Sequence, residues 1–333
     1  MNDLTYPFVT AAIVAFNRRE ELRVTLQATL QDLDYPSDRL EIIVVDNAST
    51  DGTVEMLRSE FPQVTVIPNS VNEGAPAWNR AFRIGRGDYY LILDDDCHIA
   101  GSSLKEAVQA AREHGADLVS FRISAPGADE DFSFNAVYNP GLLSFWGCAA
   151  VISRRAVERL GGYDPNIFCW GNEADLTMRL LDAGLKHLYL PTVVACHYKR
   201  PFTGETKGIA LNPFAETTSR TTLGYIAGKA LRPVHAVTAL INLVLYSCAR
   251  FYHHRSFAAL FAFARANIAG FVRGLLLRQP VSKKVSRIYK ENFADFANAL
   301  VLLARRPGRP RFWAERPQFY PKSVGSLEVT PED

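Results

Sequence analysis

The first 94 residues alternate short apolar segments with segments of helical periodicity, and this alternation restricts the fold more than any other feature. Four apolar segments are predicted strands, at residues 8–16, 41–46, 64–67 and 89–94. Between the first two, Leu22, Leu26 and Leu30 recur at the spacing of one helical face. Shorter helices are predicted up to residue 60 and over 74–84. Strands that alternate with helices predict βαβ units and a parallel sheet covered by helices.

Three consecutive carboxylates, Asp94, Asp95 and Asp96, follow the last of these apolar segments. Adjacent acids repel one another, so they are stable only when they are fully solvated or when a positive group lies among them. Ligands of open α/β sheets bind at the carboxyl ends of the strands. Carboxylate oxygens suit Mg²⁺ or Mn²⁺, which also bind phosphates. The motif therefore has two interpretations: a divalent cation that holds a diphosphate, or a solvated acidic turn.

Other polar residues are expected near the same edge of the sheet. Asp46 ends the second predicted strand, where it could accept hydrogen bonds from a nucleobase or ribose; the alternative is an Asx-turn residue. Residues 72–74, Asn79 and Arg80 lie on the loop and helix before the acidic motif, and a helix N-terminus there favours phosphate. Arg80 is a candidate for neutralising diphosphate charge, and its alternative is a solvated helical arginine.

A second acidic cluster runs from Trp170 to Asp175 at the start of a predicted helix. The helix dipole favours acids in a first turn without any function. Trp170 is also an apolar platform on which a sugar could stack, and Glu173 beside it is a candidate general base. His197 ends the last predicted strand of this half of the chain, where it is either a metal ligand or a core histidine.

Charge is distributed unevenly along the chain. The net charge is +2, but residues 220–333 carry 18 lysines and arginines against 6 acids, and residues 1–219 carry 19 against 29. An acidic N-terminal part (residues 1–219, the front) and a basic C-terminal part (residues 220–333, the rear) suggest two functions. The five cysteines form no CxxC pair, which argues against a disulfide framework or a zinc site and favours a reducing compartment. No signal peptide is expected, because the N-terminus carries Asp3 and enters a strand at once.

The basic rear is predicted to be helical. Residues 234–249 hold no formally charged side chain, and residues 256–277 are apolar apart from Arg265 and Arg273. The first run is too short to span a bilayer comfortably, and charge interrupts the second. Three interpretations stay open: helices on an anionic membrane surface, a structural subdomain or oligomer contact, and a nucleic-acid contact.

Taken together, the motifs resemble family 2 glycosyltransferases of the GT-A fold over about residues 6–200. The matching segments, in the expected order, are residues 12–18, 44–52, 72–80, 93–96, 147–164 and 172–179. Residues 93–96 resemble the metal-binding DxD motif, and residues 172–179 resemble the ED-x-D-L-x-x-R pattern. Where the family usually has Glu-Asp, this chain has Asn172-Glu173. Alignment on Asp175 and Arg179 places Glu173 at the position of the catalytic base.

The resemblance implies a Rossmann-like α/β fold, with a mostly parallel sheet flanked by helices. This GT-A domain would cover residues 1–215, followed by a helical basic region over 216–304 and an extended, proline-rich tail over 305–333. The implied enzyme is an inverting hexosyltransferase (EC 2.4) of polysaccharide biosynthesis that uses Mn²⁺ or Mg²⁺. Its donor would be a UDP- or dTDP-sugar, and its acceptor a glycan or lipid-linked glycan. It would be cytoplasmic, and peripheral on the inner face of the cell membrane if the basic helices bind lipid.

The resemblance also implies roles for individual residues. Catalysis is expected from Glu173, with Asp175 as the alternative base. The expected nucleotide-binding residues are Phe16, Arg18, Asp46, Asn72, Gly74, Asn79, Arg80, Asp94 and Asp95. The expected metal ligands are Asp96, Asp94 and His197. The expected acceptor-binding residues are Trp146, Trp170 and Asn172.

Two other classes of protein compete with this interpretation. A nucleotidyltransferase would be expected to have a glycine-rich phosphate loop with a lysine near the first strand, where this chain has Asn17-Arg18-Arg19. A non-catalytic nucleotide- or glycan-binding member, or an assembly partner, stays open because of Asn172.

Overall fold

The computed structural model describes residues 6–124, 144–198, 213–254, 257–292 and 326–327. The loop predicted at 125–140 lies outside these residues, as does nearly all of the tail predicted at 305–333. The four cysteines whose side chains are described, Cys97, Cys148, Cys169 and Cys196, are free thiols.

The four predicted strands of the front half form one parallel block. They are β1 (Val9–Ala15), β2 (Leu40–Asp46), β3 (Thr65–Pro68) and β4 (Tyr89–Asp94), in the spatial order β3-β2-β1-β4. The helices between them are α1 (Arg19–Gln31), α2 (Thr53–Glu60) and α3 (Trp78–Ile84). Because Ala15 pairs with Asp46 and Val14 with Asp94, both carboxylates reach the same edge of the sheet.

The rest of the sheet is mixed. It contains β5 (Cys97–Ile99), β6 (Leu118–Ser124), β7 (Ala149–Ser153), β8 (His187–His197) and the short β9 (Ser326–Leu327). Strand β7 is antiparallel to both β4 and β6, whereas β6 and β8 are parallel. The helices of this half are α4 (Ser103–His114), α5 (Arg154–Leu160) and α6 (Asn172–Asp182). The predicted α/β class is confirmed, but the mostly parallel arrangement ends at β4.

Side chains that alternate along the strands feed two cores, one on each face of the sheet. In β4, Tyr90 and Ile92 enter one core, and Leu91 and Leu93 enter the other. This double burial explains why the strands are continuous apolar runs and not alternating ones.

Four helices follow the sheet and pack on the core that contains Tyr90. They are α7 (Pro213–Ala230), α8 (Pro233–His254), α9 (Phe257–Leu276) and α10 (Lys283–Asn292). Tyr225 and Ile226 of α7 and Tyr289 of α10 are buried in that core. In α7 and α9, Gly224, Gly228, Gly270 and Gly274 let the two backbones touch, because a Cβ at any of them would clash with the facing helix. The helical rear is confirmed, and no helix among the described residues is long and apolar enough to cross a membrane.

Candidate active site

The three acids lie where β4 turns into β5. Asp94 is the last residue of β4, while Asp95 and Asp96 form the buried turn that follows. Cys97 pairs with His197 of β8, so the histidine comes to lie beside the turn. The ligand atoms of Asp94, Asp96 and His197 all lie within 4.8 Å of one another. The structure therefore brings together the three residues predicted to bind a metal.

Arg18 places a positive charge among these acids. Its Nη1 donates to Asp95 Oδ1 at 2.9 Å and to Asp96 Oδ2 at 2.7 Å. The other oxygen of Asp95 accepts a hydrogen bond from the backbone N–H of Phe16 at 3.1 Å. Asp95 thus fastens the end of β1 to the acidic turn. The expectation that something positive lies among the acids is met here by Arg18.

One arginine does not offset the charge of three adjacent carboxylates, of which Asp95 and Asp96 are buried and Asp94 is half-buried. Burial, together with the charges of Asp96 and Asp95, raises the pKa of Asp94 to about 7. Burial also raises the pKa of Asp95 to about 6, although Arg18 and the Phe16 N–H oppose the rise. Like charges held together disfavour ionisation. A site with this excess of negative charge attracts a further cation.

The donor set fits a divalent cation. Oxygen ligands lie about 2.0–2.6 Å from Mg²⁺ or Ca²⁺, so donors on opposite sides of one ion are separated by about 4–5 Å. Separations of up to 4.8 Å among two carboxylates and an imidazole match this range. The site could therefore hold one ion with little movement of its side chains.

Asp46 lies at the neighbouring strand end and is also buried. Its Oδ2 accepts from the backbone N–H of Ser49 at 3.2 Å, as the Asx-turn alternative predicts. Its Oδ1 is buried and has no hydrogen-bond partner within the described parts of the chain. A buried oxygen without a donor is costly, so this atom offers an acceptor to a ligand.

The loop after β3 is held by an amide network. The Asn47 side chain donates to Asn72 Oδ1 at 2.8 Å, and the Gly74 N–H donates to the same oxygen at 2.9 Å. Gly74 has φ +68°, and a Cβ there would clash with the Phe168 carbonyl. That carbonyl accepts from the Ala75 N–H at 2.7 Å. Asn72 and Gly74 therefore join the predicted nucleotide loop to the segment before Trp170.

Asn79 and Arg80 are engaged by the protein itself. Asn79 exchanges two hydrogen bonds with the backbone of Tyr163, each of 2.8 Å. Arg80 Nε donates to Glu73 at 2.9 Å in a bidentate pair, while its side chain is 40% exposed, so the alternative of a solvated helical arginine stays open. The predicted nucleotide contacts of both side chains stay predictions, without added support from this geometry.

Glu173 lies in the first turn of α6, close to the end of β4. The Asp94 N–H donates to the Cys148 carbonyl at 3.0 Å, and a Cβ on the adjacent Gly147 would clash with the Glu173 carboxylate. Burial raises the pKa of Glu173, and contacts that include the Asn172 side chain and the Gly147 N–H oppose the rise. Asn172, which was predicted to bind the acceptor, is itself buried and supports Glu173.

Two backbone positions link the base candidate to the metal candidate. The Asp94 N–H donates to the Cys148 carbonyl, and the neighbouring Gly147 lies against the Glu173 carboxylate. Burial raises the pKa of the Tyr163 hydroxyl well above the ordinary tyrosine value, and the charges of Glu173 and Asp94 raise it further. The acidic edge and the start of α6 therefore lie in one region of the fold.

Backbone strain concentrates around this site. Among the described residues, the non-glycine positions with positive φ are Asn17 (52°), Ala48 (68°) and Trp170 (58°). They follow β1, follow β2 and precede α6, respectively. Such conformations cost about 1–3 kcal/mol each and cluster at ligand sites. Trp170 is 44% exposed, as a stacking platform requires. Trp146, in contrast, is partly buried against the core that contains Leu91 and Leu93.

Asp175 has the surroundings of a structural carboxylate. It is 1% exposed, pairs with Arg179 at 2.7 Å, and lies 3.4 Å from Lys229 Nζ. Both of its oxygens face cations that the fold supplies. The prediction of Asp175 as an alternative base therefore finds no support in the geometry.

Sequence reasoning missed the cation that completes this region. Lys229 of α7 is buried and forms an ion pair with Asp164, which also accepts from the Tyr225 hydroxyl at 2.9 Å. The available signal was a lone lysine in a long, nearly uncharged helix. The sequence also did not reveal that Gly147 lies against the Glu173 carboxylate.

The same arrangement of sheet and helices occurs in solved glycosyltransferases. Mannosyltransferase PcManGT from Pyrobaculum calidifontis, in complex with GDP-Man and Mn²⁺, matches with a TM-score of 0.52 at 21% identity, over 90% of this chain and 79% of that one. S. aureus TarS 1–349, in complex with UDP-GlcNAc, matches with a TM-score of 0.56 at 16% identity, over 89% and 88%. These likenesses define the class of fold, and the predicted GT-A fold is confirmed.

Sequence comparison supports the same class of protein. The model for Glycosyl transferase family 2 matches residues 10–161. Glycosyltransferase AglE of Haloferax volcanii is 27% identical over 212 residues, or 60% of this chain and 69% of AglE. A beta-monoglucosyldiacylglycerol synthase of Synechocystis sp. is 26% identical over 196 residues, or 53% of this chain but only 40% of the synthase. Over residues 10–161 the chain is therefore similar to glycosyltransferase family 2.

Proposed function

We propose that the chain is an inverting, metal-assisted hexosyltransferase that uses a nucleotide-diphosphate sugar. The observation that carries this proposal is the cluster of Asp94, Asp96 and His197, joined through Cys148 and Gly147 to the half-buried Glu173. The solved relatives with GDP-Man or UDP-GlcNAc support a nucleotide-sugar donor. A UDP- or dTDP-sugar remains the proposed donor here.

Asp94, Asp96 and His197 would hold the divalent ion, for which Mn²⁺ is the first candidate because it accompanies GDP-Man in the solved relative. When bound, this ion supplies Lewis-acid stabilisation of the leaving diphosphate. Arg18 already touches Asp96, so its guanidinium is placed to turn toward the diphosphate when that carboxylate takes a new partner. Asp46 Oδ1, which has no hydrogen-bond partner among the described residues, would accept a hydrogen bond from the nucleoside.

Glu173 would be the general base. Burial raises its pKa, which makes it a better proton acceptor near neutral pH. The acceptor hydroxyl gives its proton to Glu173 and attacks the anomeric carbon in line. The new bond joins the acceptor oxygen to that carbon, while the bond from the carbon to the diphosphate breaks. The configuration inverts, and no covalent enzyme intermediate forms.

The proposed acceptor is a glycan or lipid-linked glycan. Exposed Trp170 would supply the platform beside Glu173, with Trp146 as the second predicted acceptor contact. Relatives named beta-monoglucosyldiacylglycerol synthase and poly(ribitol-phosphate) beta-glucosyltransferase support acceptors of these kinds. A lipid-linked acceptor would place the enzyme at the cytoplasmic face of a membrane.

A donor panel read by nucleotide release tests the proposed function. We expect Mn²⁺-dependent release from one nucleotide sugar, and at least about tenfold weaker Mn²⁺-dependent nucleotide binding in Asp96→Ala, equivalent to about 1.4 kcal/mol. Asp38→Ala is the matched control, because the Asp38 side chain is 80% exposed and distant in sequence from the acidic turn. Unchanged Mn²⁺-dependent binding in Asp96→Ala would remove Asp96 from the metal site. Nucleotide binding without release from any donor would favour the non-catalytic alternative.

Gly147→Ala should lower transfer without weakening nucleotide binding. The added Cβ would collide with the Glu173 carboxylate, which lies at the end of a flexible side chain and so moves aside. A displacement of about 1 Å at a reacting group costs about 100-fold in rate. Measured kcat should fall while the Kd for nucleotide and the midpoint of thermal unfolding stay near wild type. If Gly147→Ala has the kcat of the wild type, sugar transfer does not depend on the present position of the Glu173 carboxylate.

A further inference from the structure

Helix α8 carries an apolar stripe that the described part of the fold leaves uncovered. Val234, Val237, Ile241 and Leu245 are all exposed, Val234 to 76%. They recur every three or four residues and therefore share one side of the helix. The other side packs inward through Ala236, Ala239 and Leu243. The stripe extends over about 16 Å, at 1.5 Å per residue.

Helix α9 repeats this pattern. Phe261, Ile268, Val272 and Leu275 are exposed at helical spacing, Phe261 to 70%. On its inner side, the glycines of α9 hold the helix tightly against α7. The inner face of α9 is therefore already used, and the outer face is available. We call the outer sides of α8 and α9 together the hairpin surface.

The hairpin surface lies in a strongly basic part of the chain. Residues 220–292 contain 12 lysines and arginines and a single acid, Glu291, although Arg220 and Lys229 are buried and do not contribute to the surface. Arg265 is exposed within the stripe of α9, four residues after Phe261, and Arg232 is exposed just before α8. Lys283 and Arg287 are exposed on α10. A partner for this surface must therefore be both apolar and anionic.

A second copy of the chain fits this requirement poorly. A twofold interface places the same patch of both copies face to face, so basic helices would meet basic helices. An anionic bilayer meets both conditions, because basic helices with an apolar side lie in the headgroup region of such membranes. Arg265 can extend its guanidinium to the lipid phosphates while its stem stays among apolar groups.

We propose that the hairpin surface docks α8 and α9 flat on an anionic lipid bilayer. The inference locates the proposed lipid-linked acceptor, but it stands on this surface alone and does not require transfer to occur. Docking would hold the active site of the GT-A domain beside substrates that are embedded in the bilayer.

Co-sedimentation of the full chain with phosphatidylcholine vesicles, with and without phosphatidylglycerol, tests this proposal. We expect pelleting with the anionic vesicles that weakens as salt rises. Ile241→Glu and Phe261→Glu should each lower the partition coefficient about tenfold, because each places a charge where an apolar side chain meets lipid. Ile84→Glu is the matched control: Ile84 is 50% exposed on α3 and Ile241 is 54% exposed on α8.

Three results would overturn the proposal. The first is equal pelleting of Ile241→Glu, Ile84→Glu and the wild type. The second is no binding to anionic vesicles. The third is a stable dimer in sedimentation velocity that Ile241→Glu converts to monomer, which would assign the surface to a second copy. Nucleotide release from a soluble donor should be the same in Ile241→Glu and wild type, so failure here is distinguishable from failure of the proposed function.

Discussion

Glu173→Gln is expected to abolish sugar transfer while nucleotide binding survives. Glutamine keeps the size of the side chain and its contacts with Asn172 and Gly147, but it cannot take up a proton. A positioned general base contributes about 100- to 10,000-fold to rate, so kcat should fall by that factor. The Kd for nucleotide should not change, because Asp94, Asp96 and His197 are untouched. Transfer assays and nucleotide titration on the same preparation measure both quantities.

The pH dependence of transfer separates a base from a merely structural carboxylate. Burial raises the pKa of Glu173 above the ordinary glutamate value. The protonated form cannot accept the acceptor proton, so the rate should fall as pH drops through this raised pKa and recover above it. Glu173→Gln should lose that limb of the profile. Glu158→Gln is the matched control, since the Glu158 side chain is 67% exposed on α5. Wild-type turnover in Glu173→Gln would exclude Glu173 as the base.

Local chemistry made much of the site predictable. The carboxyl ends of parallel strands meet at one edge, so Asp46 and Asp94 could be placed together from two apolar runs. His197 could be offered as a ligand because it also ends a strand. In each case the prediction needed only the direction of a strand and the chemistry of its last residue.

Long-range pairing was not predictable in the same way. Nothing local to Asp175 distinguishes a base from a structural acid; the difference lies in Lys229, 54 residues further along the chain. The antiparallel insertion of β7 between β4 and β6 likewise depends on strands distant in sequence. The sequence suggested Arg18 as a nucleotide-binding residue. Its contacts with Asp95 and Asp96 were not predictable, because they join the segment after β1 to a turn 77 residues away.

Lys229 holds the helical rear against the GT-A domain through two buried acids. Its ammonium group contacts Asp164, which precedes α6, and Asp175 within α6. All three side chains are less than 10% exposed. Burial by itself would raise the pKa of Asp164, but hydrogen bonds from Lys229 and Asn166 lower it to about 2. The folded state therefore contains an ionised Asp164 whose charge depends on this lysine.

Lys229→Met is expected to destabilise the whole chain. Methionine fills similar space but leaves Asp164 buried with only neutral donors, while Asp175 keeps Arg179. Removal of one partner from a buried ion pair costs about 3–5 kcal/mol. Urea unfolding at neutral pH should show this loss. Lys283→Met is the matched control, because Lys283 is exposed and its loss should change the unfolding free energy by about 0.5 kcal/mol or less.

The sign of the pH dependence follows from the lowered pKa of Asp164. A carboxyl whose pKa is lower folded than unfolded stabilises the fold above the unfolded pKa, about 3.9, and this stabilisation disappears as pH falls through about 2. In Lys229→Met the carboxyl loses its cation and protonates more easily. The difference in unfolding free energy between variant and wild type should therefore be large at neutral pH and shrink as the pH falls toward about 2, the folded-state pKa of Asp164 in the wild type. Adding Asp164→Asn to Lys229→Met should recover part of the loss at neutral pH, because a neutral amide does not need the lysine. A difference that is independent of pH, with no recovery in the double variant, would mean that Lys229 acts through packing and not through its charge.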